Sequence, residues 1–207
     1  MKFEVVIVED TAPPLLKKVR SQIGPNNRAN KRLMSAAGAA VLKVFRDHFR
    51  KLENDTSTKR AQRGWPKQHF WTRRVLNATR LSEVTRDRAT ISIASREFIA
   101  KVYGADIRPG PGKQFLTIPL RGEVYGKRAA ARPVPGLFFV RSKRTRRLYL
   151  ASRDGQRLKL WYRLVKMVRL KPFARALPPD RVVSAHLEAA LLAFVVKLQR
   201  QGGGGGP

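Results

Sequence analysis

Apolar residues recur at helical spacing in two parts of this chain. Between residues 28 and 53 they form one stripe, made of Leu33, Ala37, Val41, Val44, Phe45, His48 and Leu52. A second stripe follows Pro178-Pro179-Asp180 and contains Leu187, Leu191, Phe194, Val195 and Leu198. Residues three and four positions apart lie on the same side of an α-helix. The pattern therefore predicts a long helix over residues 28–53 and a C-terminal helix that begins after the prolines.

Apolar and polar residues alternate in other segments, which predicts strands. The predicted strands are Phe3–Val8, two strands within residues 81–95, and residues 136–142, 147–153 and 158–170. The last three predict an antiparallel meander with a tight turn at Asp154-Gly155. Its longest strand is predicted to have an apolar face with Leu158, Leu160, Tyr162, Leu164, Val168 and Leu170, and a basic face with Lys159, Arg163 and Arg169.

These elements predict an α+β fold, in which an antiparallel sheet packs against one long Ala-rich helix and a C-terminal helix. Residues 1–27 are predicted to form an arm with a strand and a short helix. Residues 28–200 are predicted to form the α+β domain, and residues 201–207 a flexible glycine-rich tail. The polar and basic residues 54–64 are predicted to form a mobile loop.

The first half of the long helix is unusually rich in small residues, "SAAGAA" at Ser35–Ala40. Small side chains let another backbone approach closely. Two explanations remain open from the sequence: tight packing on the chain's own sheet, or a contact between helices of two subunits. The candidate interface residues are Ala36, Ala37, Gly38, Ala40, Leu191 and Phe194.

Charge limits the choice of partner. The 207 residues include 44 Lys and Arg against 14 Asp and Glu, a formal net charge of +30. A chain this basic repels itself unless an anionic partner is present, such as nucleic acid, an anionic membrane or an acidic protein surface. The longest apolar run, Ala189–Val196, is far shorter than the roughly 20 residues of a spanning helix. We therefore expect no membrane partner.

Positive charge is densest from Arg141 to Arg175, where thirteen Lys and Arg accompany one acid, Asp154. The candidate partner-facing residues are Arg141, Lys143, Arg144, Arg146, Arg147, Lys159 and Arg163. Three explanations fit this density: a solvated surface, contact with nucleic-acid phosphates, or contact with acidic neighbouring subunits. No sequence signature of base-specific recognition accompanies the charge.

The sequence does not indicate an enzyme. Cysteine is absent, which excludes disulfides and thiolate ligands. The run Gly110–Lys113 lacks the glycine spacing, the Ser or Thr and the following helix of a phosphate-binding loop. Its prolines and glycines favour a rigid elbow that delivers Phe115–Leu120 to a sheet as a strand. His48, His69 and His186 are dispersed, so we expect no catalytic, cofactor or metal site.

The order of these segments resembles a known family. An Ala-rich helix precedes "RGWP", then "FIAKVYGADIRPGPGKQFLTIPL", then the basic meander, then a helix after "ALPPD". This order over about residues 28–200 is similar to the virion-morphogenesis and tail-completion proteins of tailed phages, a group that includes relatives of minor tail protein Z. The matching elements are Ile107-Arg108-Pro109 and Phe115–Leu120.

The resemblance implies a non-enzymatic structural protein of the phage head–tail junction. Such proteins form rings, commonly six-fold, that cap the tail tube or join it to the head. The implied partners are further copies of this chain, tail-tube and neck proteins, and genomic DNA in the channel. The implied location is the virion, and the bacterial cytoplasm during assembly. The alternative is a sequence-independent nucleic-acid-binding protein that works without a virion.

Overall fold

The computed structural model describes residues 2–8, 14–62 and 64–202 of the chain. Contacts divide the chain into two compact units. The first unit contains Met1–Asn54, His69–Val102 and Phe173–Pro207, and the second contains Asp55–Gln68 and Tyr103–Pro172. Helices and antiparallel sheets are mixed, which confirms the α+β class.

The first unit combines helices with a three-stranded antiparallel sheet. Its helices are α1 (Pro14–Ile23), most of α2 (Asn27–Ala61), α3 (Arg96–Tyr103) and α4 (Asp180–Gly202). Its strands are β1 (Phe3–Val8), β2 (Thr79–Val84) and β3 (Arg88–Ile93), in the order β1-β3-β2. The two strands predicted within residues 81–95 are confirmed as β2 and β3.

Gly24 and Asn26 separate α1 from α2. Gly24 adopts a φ of +68°, and its N–H donates to the carbonyl of Arg20 at 3.0 Å. A left-handed glycine is a common end to a helix because it has no Cβ to clash. Asn26 then caps α2, since its side-chain oxygen accepts from the N–H groups of Arg28 and Ala29 at 3.1 Å each.

The predicted stripe of α2 faces the core of the first unit. Leu33, Val41 and Phe45 on this stripe are buried. Beside them the ring of Phe49 stacks on Trp71 at 6.0 Å and meets Phe98 edge-on at 5.6 Å. Aromatic pairs of this kind add about 0.5–1.5 kcal/mol each to the free energy of burial.

The strand and the short helix predicted within residues 1–27 are present as β1 and α1. The described part of residues 1–27 belongs to the first unit, because β1 pairs with β3 over its whole length and α1 buries Leu16 and Val19. Of the predicted tail, Gln201 and Gly202 end α4, and residues 203–207 lie outside the described residues.

The small residues of α2 pack on the unit's own sheet. A Cβ on Gly38 would lie 2.8 Å from Cδ1 of Leu81 in β2 and 3.1 Å from Cβ of Ala89 in β3. Ala37 is fully buried, and so is Leu191 of α4. Ala37, Gly38 and Leu191 are therefore wrong as interface candidates, since each is enclosed by its own chain.

Residues 54–61 of the predicted loop are helical, because α2 continues to Ala61. The apolar stripe ends at Leu52, but contacts within the second unit hold the last turns. The guanidinium of Arg60 lies 4.2 Å from the ring centre of Tyr125 and 5.4 Å from that of Trp65. Its Nε donates to the carbonyl of Pro66 at 3.0 Å. Cation–π contacts, and not an apolar stripe, therefore stabilise the last turns of α2.

The second unit contains two antiparallel sheets. One pairs β4 (Ala105–Ile107) with β9 (Val168–Leu170). The other contains β5 (Leu116–Pro119), β6 (Phe138–Arg141), β7 (Leu148–Asp154) and β8 (Arg157–Val165), in the order β5-β8-β7-β6. The predicted meander is thus confirmed as β6, β7 and β8, and the predicted strand 158–170 is divided between two sheets.

We expect Gly38→Val to lower the free energy of unfolding by about 2–3 kcal/mol, because the added methyl groups must displace Leu81 and Ala89. Ala39→Val on the exposed side of the same helix is the matched control and should cost about 0.5 kcal/mol, from helix propensity alone. Urea unfolding followed by circular dichroism measures both. Equal costs at the two positions would contradict the close approach of α2 to the sheet.

Candidate anion-binding interface

The turn between β6 and β7 holds the densest group of positive charges. Its backbone is well defined: the N–H of Ser142 donates to the carbonyl of Arg147 at 3.0 Å, and the N–H of Arg146 donates to the carbonyl of Ser142 at 2.9 Å. The Ser142 hydroxyl also accepts from the N–H of Thr145 at 3.2 Å. Five basic residues on or beside this turn are exposed, namely Arg141, Lys143, Arg144, Arg146 and Arg147. We call residues 141–147 the basic turn.

No acid neutralises the basic turn among the residues that the structure describes. None of its five basic side chains takes part in an ion pair. Elsewhere acids do pair with arginines: Asp106 accepts from Arg169 at 3.0 Å, which raises the pKa of that guanidinium, and Asp87 pairs with Arg86 and Arg20. The hydrogen bond from Arg86 is the main cause that lowers the pKa of Asp87. The basic turn therefore presents its charge to solvent or to a partner.

Arg146 adopts an unusual backbone conformation. Its φ is +56°, in the left-handed region that suits glycine. For a residue with a Cβ this conformation costs roughly 1–2 kcal/mol. Strained residues of this kind concentrate at functional sites, where a side chain is retained despite its cost. The strain therefore singles out Arg146 within the basic turn.

A β-bulge changes which residues share a face of the four-stranded sheet. Leu150 pairs with Tyr162 while the next residue, Ala151, pairs with Leu160, so Trp161 is an extra residue in β8. Side chains on β8 before and after a bulge are out of phase with simple alternation. Leu158 and Leu160 consequently lie on the opposite face from Tyr162. The predicted single apolar face is wrong for this reason.

The same bulge separates two candidate basic residues. Lys159 pairs with Ser152 and Arg163 pairs with Tyr149, and these two β7 residues lie on opposite faces because they are three positions apart. The predicted common basic face of Lys159 and Arg163 is therefore wrong. Arg169 is also elsewhere, in β9 of the smaller sheet.

Lys159 makes contacts inside the second unit and does not reach the basic turn. Its Nζ lies 4.5 Å from the ring centre of Trp161, and Arg121 approaches the same ring at 5.6 Å. The Trp161 indole N–H donates to the Ser152 hydroxyl at 2.8 Å. Ser152 is five residues from Arg147, or about 17 Å along a strand. Lys159 is thus a packing residue of this sheet.

Arg163 lies nearer the basic turn but is half-buried. It pairs with Tyr149, two residues from Arg147. Its Nε is buried and has no hydrogen-bond partner within the described residues. Of the seven candidate basic residues, the structure therefore brings together the five of the basic turn, with Arg163 beside them and Lys159 apart.

The sequence reading missed two phenylalanines next to the basic turn. Phe138 and Phe139 of β6 are 37% and 71% exposed. Consecutive strand residues point to opposite faces. Two adjacent large apolar residues on a strand at the edge of a sheet were the signal that could have found them.

The elbow before β5 is a connector between sheets. Residues 108–115 join β4 in the smaller sheet to β5 in the larger one. The Lys113 N–H donates to the Gly110 carbonyl at 3.1 Å, and Gly112 has a φ of +72°. The element that follows the run Gly110–Lys113 is the strand β5 and not a helix. Delivery of Phe115–Leu120 to a sheet is confirmed, since Leu116–Pro119 pairs with β8.

Two of the three histidines line the same cavity, and His69 is not among its lining residues. His48 and His186 line one cavity of about 670 Å³ in the first unit. The imidazole Nε2 of His48 lies 2.9 Å from the carbonyl oxygen of Arg175, and burial lowers the pKa of this histidine. Within the described ranges, no three His, Asp or Glu side chains are placed to hold a metal ion.

One helix in the described part of the chain has a notable composition. From Asp180 to Arg200, α4 is long and apolar enough to cross a membrane by length and composition alone. Only 11% of its most apolar stretch is buried inside the structure. The expectation of no membrane partner was based on the shorter run Ala189–Val196, and it stays a prediction.

Comparisons with family models, with curated proteins and with solved structures gave no significant match to this chain. The resemblance to tail-completion proteins therefore rests on the sequence elements alone.

We expect Arg146→Gly to raise the free energy of unfolding by about 0.5–1 kcal/mol, because glycine relieves the left-handed strain and loses part of that gain through its freer unfolded state. Arg144→Gly removes the same charge at a residue without a positive φ and should be neutral or destabilising. Urea unfolding of both variants is the measurement. A similar change in both would show that the strain at Arg146 contributes nothing.

Proposed function

We propose that this chain is a structural subunit of the head–tail junction of a tailed phage, where it assembles into a ring that joins or caps the tail tube. The observation that carries the proposal is the exposed apolar side of α4. Leu192 and Val196 are 54% and 46% exposed. Together with Ala185 and Ala189 they follow a spacing of three and four residues, which is the pattern of a helix that packs on another helix.

The opposite side of α4 indicates what kind of partner this stripe needs. Leu187 and Leu191 are buried in the core of the first unit, so α4 is already docked on its own protein. A helix that is apolar on both sides is stable when both sides are covered. A neighbouring subunit fits a helix that is held in this way, and a ring supplies one to every copy.

The proposed location at the head–tail junction is based on the resemblance to phage tail-completion proteins. The elements that carry it are the long helix α2, the elbow at residues 108–115 with strand β5, and the basic meander. The α+β architecture is of the kind that the resemblance implies. The expectation of no enzymatic activity belongs to this proposal and stays a prediction.

Charge adds a condition to ring assembly. Subunits of net charge +30 repel one another, so a ring of them needs anions close by. In a head–tail junction those anions are DNA in the channel or acidic surfaces of neighbouring rings.

The ring can be tested in the purified protein. Wild type should form particles larger than a monomer in sedimentation velocity and negative-stain microscopy, more completely at high salt, where repulsion is screened. Leu192→Glu with Val196→Glu should give monomers of unchanged stability, since both side chains are exposed. Ser184→Glu, also exposed on α4, is the matched control and should still assemble. Monomeric wild type at every concentration and salt would refute the ring.

The location needs a test of its own. In the phage that encodes this chain, loss of the gene should leave filled heads and unjoined or uncapped tails in electron micrographs. Normal virions from that deletion would refute a role at the junction, whatever the oligomeric state.

A second function, sequence-independent nucleic-acid binding, is favoured by one observation, the unneutralised basic turn. Contacts with phosphate release counterions, so the affinity should fall steeply as salt rises. We expect wild type to bind DNA of unrelated sequences equally well. Replacing Lys143, Arg144 and Arg147 by Gln should flatten the slope of log K against log salt by about 2–3. Fluorescence anisotropy across a salt series measures this, and an unchanged slope would exclude the basic turn as the DNA contact.

A further inference from the structure

We propose that the open edge of β6, together with the basic turn, binds an extended acidic segment of a partner protein, which adds to the four-stranded sheet as a fifth strand. The proposal rests on the strand edge, its exposed side chains and the adjoining charge. It does not depend on ring assembly through α4.

Among the strands that the structure describes, β6 is the last of its sheet and pairs with β7 alone. The N–H of Ser142 points toward β7, because it donates to the carbonyl of Arg147. In an antiparallel pair the backbone groups alternate between facing the partner strand and facing away. Val140 therefore faces β7, while the N–H and C=O groups of Phe139 and Arg141 point outward.

The outward groups are free for a partner. Neither Phe139 nor Arg141 takes part in a backbone hydrogen bond on that side in the described part of the chain. Two devices that often protect a sheet edge are absent from β6, since Phe138–Arg141 contains no proline and no bulge. An added strand would satisfy these groups, as in other complexes formed by strand addition.

The side chains of β6 favour a protein over nucleic acid. Phe138 and Phe139 project from opposite faces of the strand and are exposed, so a neighbouring strand gains apolar contacts above and below the sheet. The edge also presents carbonyl oxygens between its N–H groups. A peptide strand pairs with both kinds of group, whereas phosphates pair with the N–H groups and are repelled by the carbonyl oxygens.

The charge of the basic turn sets the chemistry of the partner. Lys143, Arg144 and Arg147 lie at the end of β6, and no acid within the described residues pairs with them. An acidic segment is attracted to these charges, whereas a basic segment is repelled by them. A segment that alternates apolar and acidic residues can make all three kinds of contact. Its backbone pairs with the edge of β6, its apolar side chains contact Phe138 and Phe139, and its carboxylates pair with the basic turn.

The test uses a labelled ten-residue peptide that alternates valine with glutamate, and a control peptide with lysine in place of glutamate. Fluorescence anisotropy should show that the acidic peptide binds the full-length protein at least tenfold more tightly. Phe139→Ala, which keeps the outward N–H, should weaken binding about threefold. Phe139→Pro, which also removes that N–H, should weaken it at least tenfold. Thermal melts report whether each variant stays folded.

Amide hydrogen exchange in the wild type gives a readout that needs no variant. Saturating acidic peptide should slow exchange at Phe139 and Arg141 and leave Val140 unchanged, because its N–H already faces β7. Equal affinity for the two peptides, or unchanged exchange at Phe139 and Arg141, would overturn the proposal. It would equally be overturned if a DNA oligonucleotide, in place of the peptide, protected these two amides and displaced the peptide, since the edge would then be a nucleic-acid site.

Discussion

Repulsion among positive charges is the constraint under which this chain folds. The second unit carries 22 Lys and Arg against four Asp and Glu, and the larger first unit carries 22 against ten. Several acids of the first unit are used at close range, as Asp87 beside Arg86 and Arg20, and Glu83 beside Arg88. The second unit has few acids to use in this way. Most of its basic residues therefore have no acidic partner, and they lie at strand ends, against aromatic rings or in turns.

Aromatic rings take the place of acids at several of these positions. Arg60 contacts the rings of Tyr125 and Trp65, and both Lys159 and Arg121 contact the ring of Trp161. A ring face attracts a cation without adding a carboxylate, at about 0.5–1 kcal/mol for an exposed site. These contacts draw basic residues into the packing of the second unit. Among the described residues, the basic turn is paired with no such ring and no acid, so its charge stays uncompensated.

Helices and most strand pairs could be predicted from the sequence because periodicity reports which side of an element is buried. The stripe of α2, the hairpin of β2 and β3 and the turn at Asp154-Gly155 all followed from local pattern. The end of α2 could not be predicted, because its last turns depend on Tyr125, a residue distant in sequence. The bulge at Trp161 could not be predicted either, because the apolar and polar residues of β8 still alternate in the sequence. The extra residue nevertheless reverses which face of the sheet the residues before it occupy. That single residue is why Lys159 and Arg163, adjacent in the pattern, are on opposite faces in the structure.

The hairpin of β6 and β7 combines features that each work against stability. Arg146 has a left-handed backbone, five cations repel one another, two phenylalanines face solvent, and one edge of β6 has unpaired backbone groups. A glycine, an acid or a proline would relieve one or another of these costs with a single substitution. Because all four occur within residues 138–147, they are better explained by one requirement than by four separate accidents. An extended anionic segment with apolar side chains would offset the repulsion, cover the two phenylalanine rings and pair with the open edge of β6. The strain at Arg146 would remain, because it fixes the conformation of the turn that contacts the partner.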